Sequence, residues 1–157
     1  MRFRLVKGED QMEVQGSIDI AAQPGKIWPY LVQPSNILKW CVTFQKCEFS
    51  GQQQSGAGTP LYVEEKAGGP LMKIHFAATE WVENQKLAFK MTSGNFVKGY
   101  QIWWTIDSIP SGSRFSFAED AKMPWGILGR LIAFLGRSGA EKHVKEMLAK
   151  LKSLAEA

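Results

Sequence analysis

The segment from Ala140 to Ala157 constrains the fold of this chain more than any other. Ala140, Val144, Met147, Leu148, Leu151 and Ala155 recur at helical spacing, and at about 100° per residue they share one face. Glu141, Lys142, Lys145, Glu146, Lys150 and Lys152 take the remainder. An amphipathic helix of this length needs a broad apolar surface to cover. Almost everything between Met12 and Met123 is patterned as strand and turn. The expected arrangement is therefore one curved sheet closing around one long helix, a geometry that leaves a cavity.

The first strand runs over 12–21, with Val14, Gly16, Ile18 and Ile20 on one face and Glu13, Gln15, Ser17 and Asp19 on the other. Pro24 then stands where a helix starts, with Ile27, Trp28, Leu31 and Val32 on one side. Pro29 removes a backbone donor inside that helix and Pro34 stops it. Ser35 is expected to cap a second short helix containing Ile37, Leu38 and Trp40. Six further strands are predicted over 44–50, 58–66, 71–82, 86–93, 99–109 and 113–121, joined by turns into an antiparallel meander.

Alternation names the side chains that point inward. Leu87, Phe89 and Met91 oppose Lys86, Ala88 and Lys90, and Tyr100, Ile102, Trp104 and Ile106 oppose Gln101, Trp103, Thr105 and Asp107. Phe115 and Phe117 look inward from the last strand, and Met72, Ile74, Phe76 and Ala78 from the 71–82 strand. That register carries Glu80 to the inner face as well, unless a β-bulge intervenes.

Residues 123–157 are expected to form two helices. Ile127, Leu128, Leu131, Ile132, Phe134 and Leu135 centre roughly 180° from the Val144, Met147, Leu148, Leu151 face. One straight helix cannot bury both directions against the same sheet, and Gly136-Arg137-Ser138-Gly139 lies between them. The expectation is a helix from Trp125 to Leu135, a break, and a second helix from Gly139 to Glu156. The first is a core helix or a lid over a cavity mouth. It falls short of the ~20 apolar residues that span a bilayer, and is the candidate for peripheral membrane contact.

A chain of 157 residues fits a single domain, 1–157, and six Trp and nine Phe supply apolar area enough for its core. A net charge of +4, spread over scattered Lys and Arg, exerts little long-range pull on nucleic acid, so no nucleic-acid partner is expected. Cys41 and Cys47 are too few for a disulfide framework, and Met1-Arg2-Phe3-Arg4-Leu5 lacks the apolar run of a signal peptide. The expected location is cytoplasmic.

Chemistry-bearing residues are sparse. His75 and His143 are the only histidines; His75 alternates outward with Lys73, and His143 is assigned to the polar side of the last helix. No spacing of His, Cys and carboxylate suits a metal, and neither metal nor cofactor is expected. Cys41 is read as a small buried hydrophobe, because an unactivated thiol is protonated at pH 7. Gly56-Ala57-Gly58-Thr59 lacks the Lys and helix start of a phosphate loop and is read as a turn. The inward carboxylates Glu65, Glu80 and Glu119 are the best candidates for acid or base work, since burial raises a carboxyl pKa toward neutrality. Glu80 or Glu119 would serve as the acid or base of an enzyme.

Ile18-Asp19-Ile20-Ala21-Ala22, Pro24, Ile27-Trp28, Tyr30-Leu31-Val32, Pro34, Asn36 and Leu38-Lys39-Trp40 open the chain. Met123-Pro124-Trp125-Gly126-Ile127-Leu128-Gly129 and the Leu148 to Leu154 segment close it. In these residues, and in the order strand, two short helices, six-stranded meander, long helix, the chain resembles the START-like, SRPBCC superfamily over roughly 12–156. Members include polyketide cyclases and lipid-transfer domains. Lys26, where members often carry an acidic residue, and Pro29 depart from the pattern. The resemblance implies an α+β helix-grip fold, with a curved seven-stranded antiparallel sheet around a long C-terminal helix and two short helices after the first strand. It also implies a hydrophobic ligand, such as a lipid, isoprenoid quinone or polyketide, held between sheet and helix. Phe76, Phe89, Met91, Tyr100, Ile102, Trp104 and Phe117 would line the sheet side, and Leu131, Val144, Met147 and Leu148 the helix side. A binding or transport protein is favoured, with a polyketide cyclase or aromatase as the enzymatic alternative. No feature specifies an oligomeric state.

Overall fold

The computed structural model describes the backbone of residues 11–124 and 126–157 and the side chains of 11–124 and 138–157. A first strand β1 (Gln11–Ile20) leads into two short helices, α1 (Pro24–Val32) and α2 (Pro34–Trp40). Six strands come next: β2 (Phe44–Phe49), β3 (Pro60–Glu65), β4 (Met72–Val82), β5 (Lys86–Gly94), β6 (Gly99–Ile109) and β7 (Gly112–Lys122). The chain closes with α3 (Gly126–Glu156). The expected α+β helix-grip architecture is present. The strands form one seven-stranded sheet in the order β1-β7-β6-β5-β4-β3-β2 with antiparallel pairing throughout. β1 is placed beside β7, so the meander returns to the chain's first strand.

Period-two alternation decides which face is inside. Along β6 the residues Tyr100, Ile102, Trp104 and Ile106 are buried and those between them are partly exposed. β4 departs from strict alternation, since its register against β5 shifts between Ala78 and Glu80. The extra residue reverses the facing of the strand beyond it. Trp81 packs edge-on against Trp28 of α1, with ring centroids 6.1 Å apart, and Glu80 is turned out to an ion pair with Lys86 at 2.7 Å. The unbulged register that would have aimed Glu80 inward is thereby corrected.

The C-terminal helix grips the sheet along β1. Val144, Met147, Leu148, Leu151 and Ala155 are all buried. Its last turn is tied down by polar contacts. The Glu156 carboxylate accepts a hydrogen bond from the Ala21 amide at 2.7 Å, and the Lys152 ammonium donates to the Asp19 carbonyl at 2.6 Å.

The predicted break in this helix is absent, because α3 is helical from Gly126 through Glu156. A glycine costs about 1 kcal/mol in a helix interior, which neighbouring turns outweigh. The expected break rests on the assumption that both apolar directions bury against one sheet, and a continuous backbone does not need that assumption. Trp125 lies outside the described residues, as do the side chains of the helix through 137, including Leu131. No helix among the described residues is long and apolar enough to cross a membrane. Ser35 does not cap α2 either. The cap position belongs to Gln33, with Pro34 in the first turn, where its missing N–H costs nothing.

One end of the curled sheet is filled. Trp40 of α2, fully buried, packs its ring 5.0 Å from Trp104 and 5.6 Å from Phe115, and its indole N–H donates to the Tyr30 carbonyl at 2.8 Å. Phe89 stacks edge-on to Trp104 at 5.7 Å. This aromatic plug closes the end nearest α1 and α2.

Candidate functional site

The opposite end of the sheet is hollow. A cavity of about 550 Å³ opens among the last residues of β3 and β7, the first of β1, β4 and β6, and the middle of α3. Because antiparallel strands alternate in direction, chain starts and chain ends meet at this one rim. The loop Ala67, Gly68, Gly69, Pro70 and the pair Phe96, Val97 complete the described mouth. Phe96 stands there 44% exposed in the left-handed backbone region, with φ 61°, a conformation uncommon for an aromatic residue.

Four of the chain's six methionines, Met12, Met72, Met123 and Met147, line the chamber. Unbranched thioether side chains re-pack around irregular apolar shapes more readily than branched ones. The wall is mostly apolar, and its polar groups converge at one place. Glu65 ends β3, Tyr100 lies near the start of β6, Glu119 lies near the end of β7 and Thr43 precedes β2; all four line the cavity. β3 and β7 are not neighbours in the sheet. Only its curl brings their inward side chains together.

The Tyr100 hydroxyl donates to Glu119 Oε2 at 2.8 Å, and the Thr43 hydroxyl donates to Glu65 Oε1 at 2.8 Å. Glu65 is 5% exposed, and its Oε2 has no hydrogen-bond partner among the described residues. Burial, then the neighbouring Glu65, pushes the Glu119 carboxyl up to about 8, against a smaller opposing effect of the Tyr100 hydrogen bond. Burial also raises Glu65, while Thr43 and Tyr100 pull it back. Tyr100 is held well above its ordinary value, by burial first and then by the two carboxylates. Glu119 thus keeps near neutral pH a proton that water would remove, and burial in the same apolar wall shifts Glu65 and Tyr100 in the same direction.

The sequence-predicted residues divide cleanly. Tyr100, Val144 and Met147 line the cavity, as do Glu65 and Glu119. Phe76, Phe89, Ile102, Trp104, Phe117 and Leu148 are buried but stand off the described cavity wall, in the packed part of the core. Met91 is half-buried against that core, and Leu131 lies outside the described side chains. Glu80, with its Lys86 partner, is away from the cavity. His143, expected on the polar side of the helix, instead lines the chamber, because it lies one turn from Met147 and three residues from Ala140 on the same flank. Thr43, Met12 and Met123 are not singled out by the sequence pattern, and Met72, read as inward-facing, carries no mark of its place at the cavity, since alternation marks a face and not a depth along it.

The remaining candidates settle as ordinary structure. His75 is exposed and stacks on Tyr62 at 4.9 Å. Cys41 and Cys47 are free and buried; burial pushes the Cys47 thiol up to about 12 and holds Cys41 well above its usual value. Gly56 to Thr59 forms a turn closed by the Thr59 amide and hydroxyl on the Gly56 carbonyl.

Residues 11–156 match the family model described as polyketide cyclase / dehydrase and lipid transport. No curated protein sequence matches the chain. Among solved structures, a protein from Thermus thermophilus superposes with a TM-score of 0.74 at 16% identity, covering 92% of this chain and 96% of that one. The Zhui aromatase/cyclase from a Streptomyces species gives 0.76 at 11% identity, with 93% and 94% covered. A START superfamily protein from Mycobacterium smegmatis gives 0.73 at 14% identity, with 91% and 99% covered. At these identities the likeness is one of fold.

Proposed function

The chain belongs to the polyketide cyclase / dehydrase and lipid transport family, and from that premise we propose that it binds one hydrophobic small molecule in the hollow end of its sheet. The observation that carries this reading is the chamber itself. It offers about 550 Å³, within the range of small-molecule sites, and an apolar wall with a few convergent polar groups is the usual composition of such sites. Burying apolar ligand surface at ~25 cal/mol per Å² supplies the affinity, and the flexible methionines let the wall fit its guest. The test is titration of delipidated protein with the uncharged dye N-phenyl-1-naphthylamine. Saturable binding near one equivalent is expected, and absence of saturable binding would end this reading.

A second reading is favoured by one specific observation, the buried Glu119 carboxyl hydrogen-bonded to Tyr100. A carboxylic acid that keeps its proton near neutrality can act as a general acid in a cyclisation or dehydration. On that reading Glu119→Gln abolishes turnover of a cyclisable β-polyketone and leaves dye binding intact. Unchanged turnover would remove Glu119 from the chemistry.

A further inference from the structure

Five side chains with nitrogen or oxygen atoms line the chamber, and four of them bond one another. Thr43 donates to Glu65, Tyr100 donates to Glu119, and the phenol interacts with both carboxyls. Glu65 Oε2 is sealed from the open wall. The fifth is His143, half-buried on the α3 side, with no hydrogen-bond or ion-pair partner among the described residues. An imidazole carries at least one N–H in either protonation state, so an unpartnered donor stands there. α3 runs from the hollow end toward the closed one, where Glu156 meets Ala21, and His143 is therefore one turn nearer the mouth than Met147.

The mouth adds charge of one sign. The segments 66–71, 94–98 and 122–124 hold Lys66, Lys98 and Lys122, all exposed, and no acidic residue. Asp120 offsets Lys122, while Lys66 and Lys98 have no ion-pair partner among the described residues. The Gly68 and Gly69 amides at the mouth have no backbone partner among them either. A carboxylate accepts from such donors in charge-assisted bonds, stronger than those to a neutral oxygen. An ammonium would meet the same lysines with repulsion. Glu119 keeps its proton near neutral pH, so the acid cluster opposes an anion less than two ionised carboxylates would.

Resting on the ligand-binding reading above, we propose that the guest is an apolar molecule ending in a carboxylate, which accepts a hydrogen bond from His143 beneath the basic mouth while the apolar body lies among the methionines. His143 is then the specificity-determining residue of the site.

The experiment is displacement of N-phenyl-1-naphthylamine from the wild-type protein, at neutral pH and low ionic strength, by dodecanoate, methyl dodecanoate and 1-dodecanol. Apolar burial alone would favour the uncharged ligands. Dodecanoate is instead expected to compete about tenfold more tightly than either, the size of effect that a hydrogen bond to a charged group produces. In His143→Leu, which removes the donor, that advantage is expected to shrink by about fivefold or more. His143→Gln, which keeps an N–H donor, is expected to retain part of it. Circular dichroism checks that the variants are folded. If the ester or dodecanol matches dodecanoate on the wild type, the carboxylate preference is overturned while the cavity reading stands. If the preference survives in His143→Leu, the assignment to His143 is overturned. If the dye itself does not bind, both readings fall together. The wild-type series decides the carboxylate preference even if neither variant folds.

Discussion

At the scale of single residues, Glu119 couples the site to the stability of the fold. Its carboxyl titrates near 4.5 when unperturbed and is pushed up to about 8 in the folded chain. Below about pH 4.5 both folded and unfolded chains hold the proton, and the group favours neither. Between there and pH 8 the folded chain keeps a proton that the unfolded chain has released, so stability falls as pH rises through that window. Glu65 is shifted in the same direction and adds to the slope. Urea unfolding at pH 5, 6, 7 and 8 is expected to show the wild type losing on the order of a few kcal/mol across the window, and Glu119→Gln losing much less. Parallel curves for the two proteins would mean that Glu119 is ionised in the folded state. Both acids were legible in the sequence because strand alternation aims them inward. Glu80 was not, since a bulge is set by backbone pairing that side-chain pattern does not record.

At the scale of elements, strand extents followed from the sequence to within a residue or two, because burial on one face imposes a period of two that flanking turns interrupt. The helices show the limit. Apolar periodicity gives the direction of each face of α3 but not what lies opposite it, so opposed faces suggested a break where the backbone continues. Close approach between elements was equally hidden. Gly112, at the start of β7, has φ +137°, and a Cβ there would collide with the Ile20 carbonyl oxygen and lie 2.8 Å from the Ala22 amide nitrogen. The same junction carries the Ser113 hydroxyl, which donates to the Ala22 carbonyl at 2.7 Å. Gly112→Ala therefore strains the backbone and pushes β7 off the end of β1. A loss of at least about 2 kcal/mol is expected, read as a lower denaturant midpoint with an unchanged slope. A loss under about 0.5 kcal/mol, the level of an ordinary surface change, would show that the junction relaxes freely.

At the scale of the whole molecule, the sheet divides its interior between two tasks. Trp40, Trp104, Phe115 and Phe89 close one end with packed rings, while methionines and three acidic or phenolic groups surround an open chamber at the other. The packed end supplies cohesion, so the hollow end can forgo contacts that a filled core would make. A guest restores those contacts only in the folded state, and mass action then stabilises the fold by about 2.7 kcal/mol at a concentration 100 times Kd. For a domain of this size that corresponds to a rise in Tm of about 5–10 °C. Scanning calorimetry with saturating 1-dodecanol is expected to show this rise. Ala140 lines the chamber from α3, and Ala140→Trp places an indole where the guest would sit. That variant is expected to retain a cooperative transition and to lose the ligand-dependent shift. A shift that survived would place the guest elsewhere on the molecule, and the hollow end would then have to be explained without one.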